Sequence, residues 1–376
     1  MSIYKQFLGD FAKDFFSSKE FGDIVLNNPL DMHLHLREGE MLESVLPFSA
    51  KSFVASLVMP NLKNPLTNTD LAINYQDKIL ELAHKSAIRD FVPIVSLYLT
   101  ESLSKDELKK AKSSGLKILK LYPRGATTGS ESGVKEVLDE RLLEVLAYAQ
   151  DLSFMLSIHG ESAGYCLDRE FEFLEVFRFL AKTFPKLKII IEHISDSRSL
   201  ALLEEFENLY GTLTLHHILL SLDDVMGGAL RPDLFCKPML KSPKDRDALL
   251  QTALSAHPKI AFGSDSAPHL SSQKYSSHAP GGIFSAPIVL SVLASVFAYF
   301  DKLPNLQSFV SDNAMGNYGL KDFINSHLQA QNIHNNKKTL TLKNEIWEIP
   351  ESIPCGSDSI SVLFGGLKCG FKECFE

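Results

Sequence analysis

The chain has 376 residues, of which 45% are hydrophobic and 22% are charged, and its net charge at pH 7 is −8. This composition is that of a folded globular protein and excludes a disordered or fibrous chain. Lysine and arginine are spread along the sequence without forming a basic patch, so we expect no nucleic-acid partner.

Residues 1–23 are predicted to form a short N-terminal extension. The segment MSIYKQFLGDFAKDFF interrupts its apolar residues with lysine and aspartate every few positions, so it lacks the continuous apolar core of a signal peptide. We expect a short amphipathic helix here. The cysteines are odd in number and widely scattered, which does not suit a disulfide framework and favours a reducing cytoplasm. They are Cys166, Cys236, Cys355, Cys369 and Cys374.

Short runs rich in valine, isoleucine and leucine alternate along the chain with amphipathic stretches, which is the pattern of a parallel sheet built from βαβ units. The runs are 29–35, 52–60, 91–99, 116–123, 153–160, 187–194, 211–219 and 259–268. Eight such units predict an α/β fold of the closed (β/α)8 TIM-barrel type over an open sheet. No GxGxxG motif follows the first strand, which weakens a dinucleotide-binding alternative.

We expect the barrel to span residues 24–330. Within it, the uncharged run 283–300 contains serine and proline and lacks basic flanks, so we interpret it as a buried helix and expect no membrane association. Residues 331–376 show strand-like alternation without a helix partner. They are predicted to form a C-terminal appendage packed on the barrel.

Polar side chains end several predicted strands. In barrels of this kind the carboxyl ends of the strands open onto one mouth, where catalytic groups gather. A single histidine at such a place is more often a core residue, but clustered imidazoles with a carboxylate are a ligand set that suits zinc. The residues concerned are His33 and His35 on strand 1, Lys120 on strand 4, His159 on strand 5, His193 on strand 6 and Asp265 on strand 8.

Other features of these strand ends refine this prediction. His33 and His35 lie two residues apart, so on a strand both point to the same face. His216 and His217, placed at the end of the seventh predicted strand, are interpreted as supporting or structural residues.

Lys120 is unusual in such a cluster. Burial and neighbouring cations lower the pKa of a lysine from its ordinary value of ~10.4 toward that of a neutral amine. A neutral amine can add carbon dioxide, and the resulting carbamate can bridge two metal ions. The alternative, a lysine at a strand end that reaches solvent as Lys117 does, stays open at this point.

Six motifs in this order carry a resemblance to a known family: HLHLRE, VMPN, KLYP followed by ATT, IHGE, IEHI and GSDSAPH. They spread over almost the whole predicted barrel. With them the chain resembles the amidohydrolase superfamily and, within it, the dihydroorotase family of the short bacterial type. The resemblance implies a cytoplasmic hydrolase of pyrimidine biosynthesis that reversibly closes N-carbamoyl-L-aspartate to L-dihydroorotate.

The resemblance also implies a site with two zinc ions. His33 and His35 would bind the first ion together with Asp265, and His159 and His193 would bind the second. Carboxylated Lys120 would bridge the two ions, and a hydroxide would lie between them. Asp265 would in addition carry protons between the hydroxide and the leaving nitrogen.

Substrate contacts are implied for a further group of residues. His35, Arg37, Asn61 and His269 would contact the substrate, the last three at its free carboxylate. Taken alone, Arg37 reads equally as a surface ion pair, Asn61 as a turn residue and His269 as a loop residue.

Two further segments complete this implied site. Main-chain atoms near Lys237 and Gly281 would contribute, although both segments depart from the commoner form in the family. Thr127 and Thr128 would belong to a mobile loop that closes over the mouth.

Two alternatives remain at this stage. The first is another cyclic-amide hydrolase, such as a hydantoinase or allantoinase. Those relatives carry a β-sandwich built from both chain ends, and the short segment before the first strand is too small for its N-terminal half. The second is a catalytically inactive barrel that serves as a structural partner, against which all six predicted metal ligands argue. The expected partner is a small-molecule substrate, and the oligomeric state, a homodimer included, stays open.

Overall fold

The computed structural model describes residues 3–19, 21–333 and 337–375. The parts of the predicted extension and appendage at residues 1, 2, 20, 334–336 and 376 lie outside the described residues. Parallel strands form a closed barrel with helices around it, which confirms the predicted fold class.

The strands of the described residues are, in chain order, β1 (Ile24–Asn27), β2 (Leu30–Leu34), β3 (Ala55–Val58), β4 (Val92–Val95), β5 (Leu97–Tyr98), β6 (Ile118–Leu121), β7 (Met155–Ile158), β8 (Lys188–Ile191), β9 (Leu209–Leu213), β10 (Ile260–Phe262), β11 (Thr339–Lys343), β12 (Trp347–Glu348), β13 (Ser352–Cys355), β14 (Asp358–Ser361), β15 (Lys368–Cys369) and β16 (Lys372–Cys374).

The α-helices of the same residues are α1 (Asp10–Ser18), α2 (Gly39–Ser52), α3 (Thr69–Lys85), α4 (Lys105–Ser113), α5 (Glu140–Asp151), α6 (Arg169–Thr183), α7 (Leu200–Glu205), α8 (Leu215–Leu219), α9 (Leu222–Met226), α10 (Pro243–Leu254), α11 (Ser271–Lys274), α12 (Val289–Tyr299), α13 (Leu303–Gln307), α14 (Asn313–Asn317) and α15 (Lys321–Ala330). Short 3-10 turns lie at Ile3–Gln6, Ser197–Ser199 and Pro232–Leu234, and a π turn lies at Ser308–Asp312.

The barrel runs from β2 to β10 with parallel pairing throughout. β2, β3 and β4 are neighbours, and β5 to β10 follow in order, with β4 and β5 forming one strand interrupted at Ser96. The last strand meets the first through two backbone hydrogen bonds, from Asp265 N to His33 O at 2.8 Å and from His35 N to Ser266 O at 3.1 Å. We call residues 33–35 and 265–266 the closing seam.

Alternate strand residues fill the barrel interior, as the two-residue period of a strand requires. Met32, Leu57, Ile118 and Ile190 belong to this interior cluster. The register between β2 and β3 shifts between Asp31 and Leu34. Because of this bulge, the side chains of Met32 and His33 both face the barrel interior, although they are consecutive in sequence. His33 and His35 therefore face the interior above the apolar layer.

The seventh predicted run is only partly strand. β9 ends at Leu213, and His216 and His217 lie in the short helix α8 and not at a strand end. Thr214 explains the change, because its side chain accepts a hydrogen bond from the backbone N–H of His217 and caps a helix there.

The predicted buried helix in run 283–300 is α12. All its residues from Val289 to Ala298 are buried, since it contacts the tail strands β11, β15 and β16. Among the described residues, no helix has both the length and the apolar character that crossing a membrane requires.

The two chain ends meet outside the barrel. β1 pairs antiparallel with β11, and β11 pairs with β16. Strand β1 lies within the range predicted for the barrel but pairs with the tail, so the division into 1–23, 24–330 and 331–376 stays a prediction.

Candidate active site

A cavity lies at the carboxyl end of the barrel strands. It is lined by His33, His35, Arg37, Asn61, Tyr122, Thr127, Thr128, His159, His193, Lys237, Asp265, Ala267, Gly281 and Gly282. His269 lines the wider cleft beside it. The structure therefore brings the predicted site residues to one place, with Lys120 fully buried among them.

His33, His35 and Asp265 form one half of the cluster. Asp265 Oδ1 lies 3.1 Å from His35 Nε2 and 3.5 Å from His33 Nε2. Burial lowers the pKa of both histidines, and the charge of Arg37 lowers that of His35 further. Both rings are therefore neutral at pH 7, with lone pairs available to a cation. These three residues could hold a metal ion.

His159 and His193 form the other half. Nδ1 of His159 lies 3.1 Å from Nε2 of His193, and the two ring centres are 4.8 Å apart. His193 is also 4.8 Å from His33, measured between ring centres, which joins the two halves into one cluster. The nitrogen pairs are close enough to share a cation on each side of the cluster.

Lys120 lies at the base of the cluster on β6. Its side chain is fully buried, and its Nζ has no hydrogen-bond partner among the residues that the structure describes. Burial lowers the pKa of Lys120 to about 8, although the charges of Glu192 and Asp265 oppose this effect. A buried ammonium without partners is costly, so this position suits a modified or metal-bound side chain. The solvent-reaching alternative for Lys120 is wrong.

Two buried glutamates orient the histidines, and sequence reasoning did not assign them a role. Glu192 Oε2 lies 2.8 Å from His33 Nδ1, and Glu161 Oε2 lies 2.7 Å from His159 Nε2. Each bond fixes the proton of one ring nitrogen and leaves the other nitrogen for a cation. The sequence did contain a signal for both glutamates. Glu192 directly precedes His193 in the motif IEHI, and Glu161 follows His159 by two positions in the motif IHGE.

Three site residues have left-handed backbone conformations that are rare outside glycine. They are Arg37 at φ 60°, His193 at φ 40° and Asp265 at φ 43°. Such conformations cost about 1–3 kcal/mol each and persist where surrounding contacts impose them. Thr212 Oγ1 accepts a hydrogen bond from His193 N at 2.7 Å, and the closing seam holds Asp265. The backbone thus turns these side chains toward the cavity.

Arg37 and His269 face each other on one side of the mouth. Arg37 Nη2 lies 3.2 Å from His269 Nε2, and Arg37 Nε donates to Pro268 O at 3.2 Å. Burial and the charge of Arg37 lower the pKa of His269 to about 2, so its ring is neutral. Tyr75 donates to the carbonyl of Arg37 at 2.5 Å and holds its backbone. This side of the cavity is suited to an anion.

Loops around the mouth are joined by specific contacts. Asn61 Nδ2 donates to Thr128 O at 3.0 Å, and Thr128 Oγ1 donates to Gly281 O at 3.3 Å. The predicted mobile loop is thus closed over the cavity in this structure. Its mobility stays a prediction.

Lys274 joins the two segments that contain Lys237 and Gly281. Its Nζ donates to Phe235 O at 2.9 Å, to Pro280 O at 3.1 Å and to Gly282 O at 2.8 Å. The side chain is buried, and burial lowers the pKa of Lys274 to about 8. This lysine was not predicted as a site residue, because its partners are carbonyl groups that leave no mark in a sequence.

Known proteins similar to the chain are dihydroorotases. The chain is 57% identical over 310 residues to a dihydroorotase of Helicobacter hepaticus, across 82% of this chain and 89% of that protein. The crystal structure of the dihydroorotase of Campylobacter jejuni matches with a TM-score of 0.85 at 38% identity, covering 94% of this chain and 98% of that one.

A second solved structure extends this comparison. The dihydroorotase of Saccharomyces cerevisiae, solved in complex with 5-fluoroorotic acid, matches with a TM-score of 0.86 at 31% identity, covering 95% and 99% of the two chains. No protein-family model matches the chain.

The hydantoinase alternative is matched only at the level of the fold. An L-hydantoinase from Arthrobacter aurescens has a TM-score of 0.70 at 15% identity, covering 88% of this chain and 78% of that one. The much higher identity to dihydroorotases, over most of both chains, favours that family over other cyclic-amide hydrolases.

Proposed function

The chain belongs to the dihydroorotase family, and from this membership we propose that it interconverts N-carbamoyl-L-aspartate and L-dihydroorotate in pyrimidine biosynthesis. Ring closure joins the ureido nitrogen to the side-chain carboxyl carbon and releases water, while the other carboxylate stays free. The observation that carries the proposal is the convergence of four imidazoles and Asp265 on one cavity, with a buried lysine beside them whose Nζ has no hydrogen-bond partner among the described residues.

The donor set fits two divalent ions. His33, His35 and Asp265 would hold one ion, His159 and His193 would hold the other, and carboxylated Lys120 would bridge them. The lone Nζ of Lys120 and the ring orientation imposed by the two glutamates support this assignment. When bound, zinc ions lower the pKa of a water from ~15.7 to near 7 and polarise a carbonyl.

Residues of the chain orient the substrate at the opposite side of the cavity. Arg37 offers a planar fork of N–H donors that matches a carboxylate, and its half-buried position strengthens the attraction. Asn61 and His269 lie beside it and would complete the binding of the free carboxylate. This arrangement would leave the amide end of the substrate facing the histidine cluster and Asp265.

Asp265 is the group placed to move a proton. Burial raises its pKa, while the neighbouring His33 and His217 oppose that change. A carboxylate whose pKa is raised is a stronger base, and beside the reacting atoms it can accept a proton and return it. In ring opening, Asp265 would accept the proton of the attacking water and return it to the leaving nitrogen; ring closure reverses the transfer.

The remaining site residues have supporting parts in this proposal. His35 would contact the substrate as well as a metal ion, and Lys237 and Gly281 would contribute main-chain atoms. Thr127 and Thr128 would close over the bound substrate and exclude water. A cytoplasmic location and a homodimer are further parts of the proposal.

A steady-state assay tests substrate and metal together. Purified protein should hydrolyse dihydroorotate and turn over neither hydantoin nor allantoin at a comparable rate. A chelator should abolish the activity, and zinc with bicarbonate should restore it. Turnover of hydantoin with none of dihydroorotate, or full activity in metal-free protein, would overturn the proposal. Asp265→Asn should lose activity and weaken binding of the ion shared with His33 and His35, whereas the exposed variant Asp301→Asn should keep both activity and metal.

A further inference from the structure

A second cluster of metal-binding side chains lies beside the candidate active site. His216 and His217 of α8 and Cys236 of the following loop are fully buried. One ligand atom of each lies within 4.8 Å of the others. None of these residues is among the ligands proposed for the active site.

His216 is the residue of this cluster whose hydrogen-bonding groups are left unsatisfied by the described residues. Within the described part of the chain, neither of its ring nitrogens has a hydrogen-bond partner, although the side chain is completely buried. An unpaired buried polar group costs about 1–3 kcal/mol. The ring therefore has a nitrogen lone pair that no donor among the described residues engages. A cation would satisfy it.

The other donor atoms converge on one point. His217 Nε2 lies 3.0 Å from Pro238 O and 4.0 Å from Cys236 Sγ, and Cys236 Sγ lies 3.3 Å from Pro238 O. With bonds of about 2.0–2.1 Å to nitrogen or oxygen and about 2.3 Å to sulfur, a tetrahedral ion needs donors ~3.3–3.6 Å apart. Small shifts of the side chains would bring these atoms to that spacing.

We propose that His216, His217, Cys236 and the carbonyl oxygen of Pro238 form an additional metal site for a thiophilic d10 ion, zinc(II) or copper(I). Imidazole and thiolate are the ligands that such ions favour. Binding releases the thiol proton of Cys236 to solvent. The Nε2 of His217 supplies a lone pair, and its proton resides on Nδ1.

Without an ion, Nε2 of His217 carries the ring proton, because the carbonyl oxygen of Pro238 at 3.0 Å can only accept a hydrogen bond, so ion binding requires this proton to move to Nδ1. Thr214 Oγ1 lies 2.8 Å from Nδ1 of His217 and would accept its hydrogen bond, so the ring keeps a partner when Nε2 binds the ion. When the ion binds, Pro238 O loses the hydrogen bonds from His217 Nε2 and Cys236 Sγ and contacts the cation instead. The ion joins α8 to the segment that carries Lys237, which lines the active-site cavity.

Cobalt(II) distinguishes this site from the proposed active site, because the latter has no sulfur ligand. Wild-type protein loaded with cobalt should show a thiolate-to-cobalt charge-transfer band. Cys236→Ser should abolish that band and remove one equivalent of metal per chain. His216→Phe should weaken metal binding at this site at least tenfold, and the matched control Cys369→Ser, a buried cysteine elsewhere, should leave the band unchanged.

X-ray absorption of the zinc-loaded wild-type protein gives an answer that needs no variant. A sulfur scatterer at about 2.3 Å is expected. Zinc spectra that show only nitrogen and oxygen ligands, together with no charge-transfer band in the cobalt protein, would overturn the proposal. A band that persists in Cys236→Ser would also overturn it. Loss of dihydroorotate turnover alone bears only on the proposed function.

Discussion

The substitution Glu192→Gln should weaken the binding of one of the two proposed metal ions and leave the binding of the other unchanged. Glu192 Oε2 faces His33 Nδ1 at 2.8 Å and accepts from Thr212 Oγ1 at 2.7 Å, and Oε1 accepts from Ser157 Oγ at 2.5 Å. Burial alone would raise the pKa of Glu192, but the neighbouring His33 and Lys120 and these hydrogen bonds lower it to about 2. The site is thus built for a carboxylate.

The size of the effect follows from these contacts. A pKa lowered from 4.5 to about 2 corresponds to roughly 3 kcal/mol of preference for the charged form. A glutamine has one acceptor oxygen for three donors and turns its amide N–H groups toward at least one of them. Loss of such an orienting partner weakens a metal site by ~10–100-fold, or about 1.4–2.7 kcal/mol.

A zinc titration against a chromophoric chelator resolves the two binding steps. Glu192→Gln should shift the step that involves His33, whereas Glu161→Gln should shift the step that involves His159, because each glutamate orients one ring. The exposed variant Glu175→Gln serves as the control. If Glu192→Gln folds and binds both zinc equivalents with wild-type affinity, the reasoning about ring orientation is refuted.

Three more predictions follow from buried charges. Lys120→Ala should lower kcat more than ~100-fold, since even a residue that only orients a metal ligand contributes ~10–100-fold. A short-chain carboxylic acid should restore part of the activity. Undiminished activity without the acid would contradict the bridging role. Lys274→Met should raise KM about tenfold, equivalent to about 1.4 kcal/mol, with little change in kcat. The reason is that the loops around Lys237 and Gly281 lose the side chain that joins them. An equal rise in KM in the exposed variant Lys302→Met would contradict this role of Lys274. Burial raises the pKa of Glu170 to about 7 from 4.5, opposed by hydrogen bonds from Ser195 and Ser199, so the folded state keeps a proton that the unfolded chain loses. The free energy of unfolding should therefore fall by up to about 3 kcal/mol from pH ~4.5 to pH ~7, as measured by urea denaturation, and Glu170→Gln should flatten this slope.

The barrel, and the gathering of the proposed ligands at one mouth, were predictable because both depend on local patterns; their binding of metal stays a prediction. Apolar runs of strand length alternate with helical ones, and polar residues at strand ends meet at one mouth whatever the details of packing. His159 and Lys120 follow this rule directly, since both continue the inward face of their strands. The six sequence motifs then indicated the dihydroorotase family within the amidohydrolase superfamily.

Other features depended on contacts that a local pattern cannot contain. The bulge between Asp31 and Leu34 decides that His33 faces inward, and Thr214 turns the predicted end of a strand into a helix. Glu192 reaches His33 across 159 positions of the chain. Such long-range partners become visible only when the strands are placed side by side.

The closing seam has a consequence for how the protein is made. The hydrogen bond from Asp265 N to His33 O joins the first strand of the barrel to the segment after the last, and both residues belong to the proposed ligand set. A nascent chain that has not yet released residues 265 and 266 from the ribosome can contain the four proposed histidine ligands and still lack the carboxylate and the backbone contacts that fix His33 and His35. Loading of the proposed active site is therefore expected to follow synthesis of most of the chain, and truncation before Asp265 should prevent high-affinity zinc binding at that site.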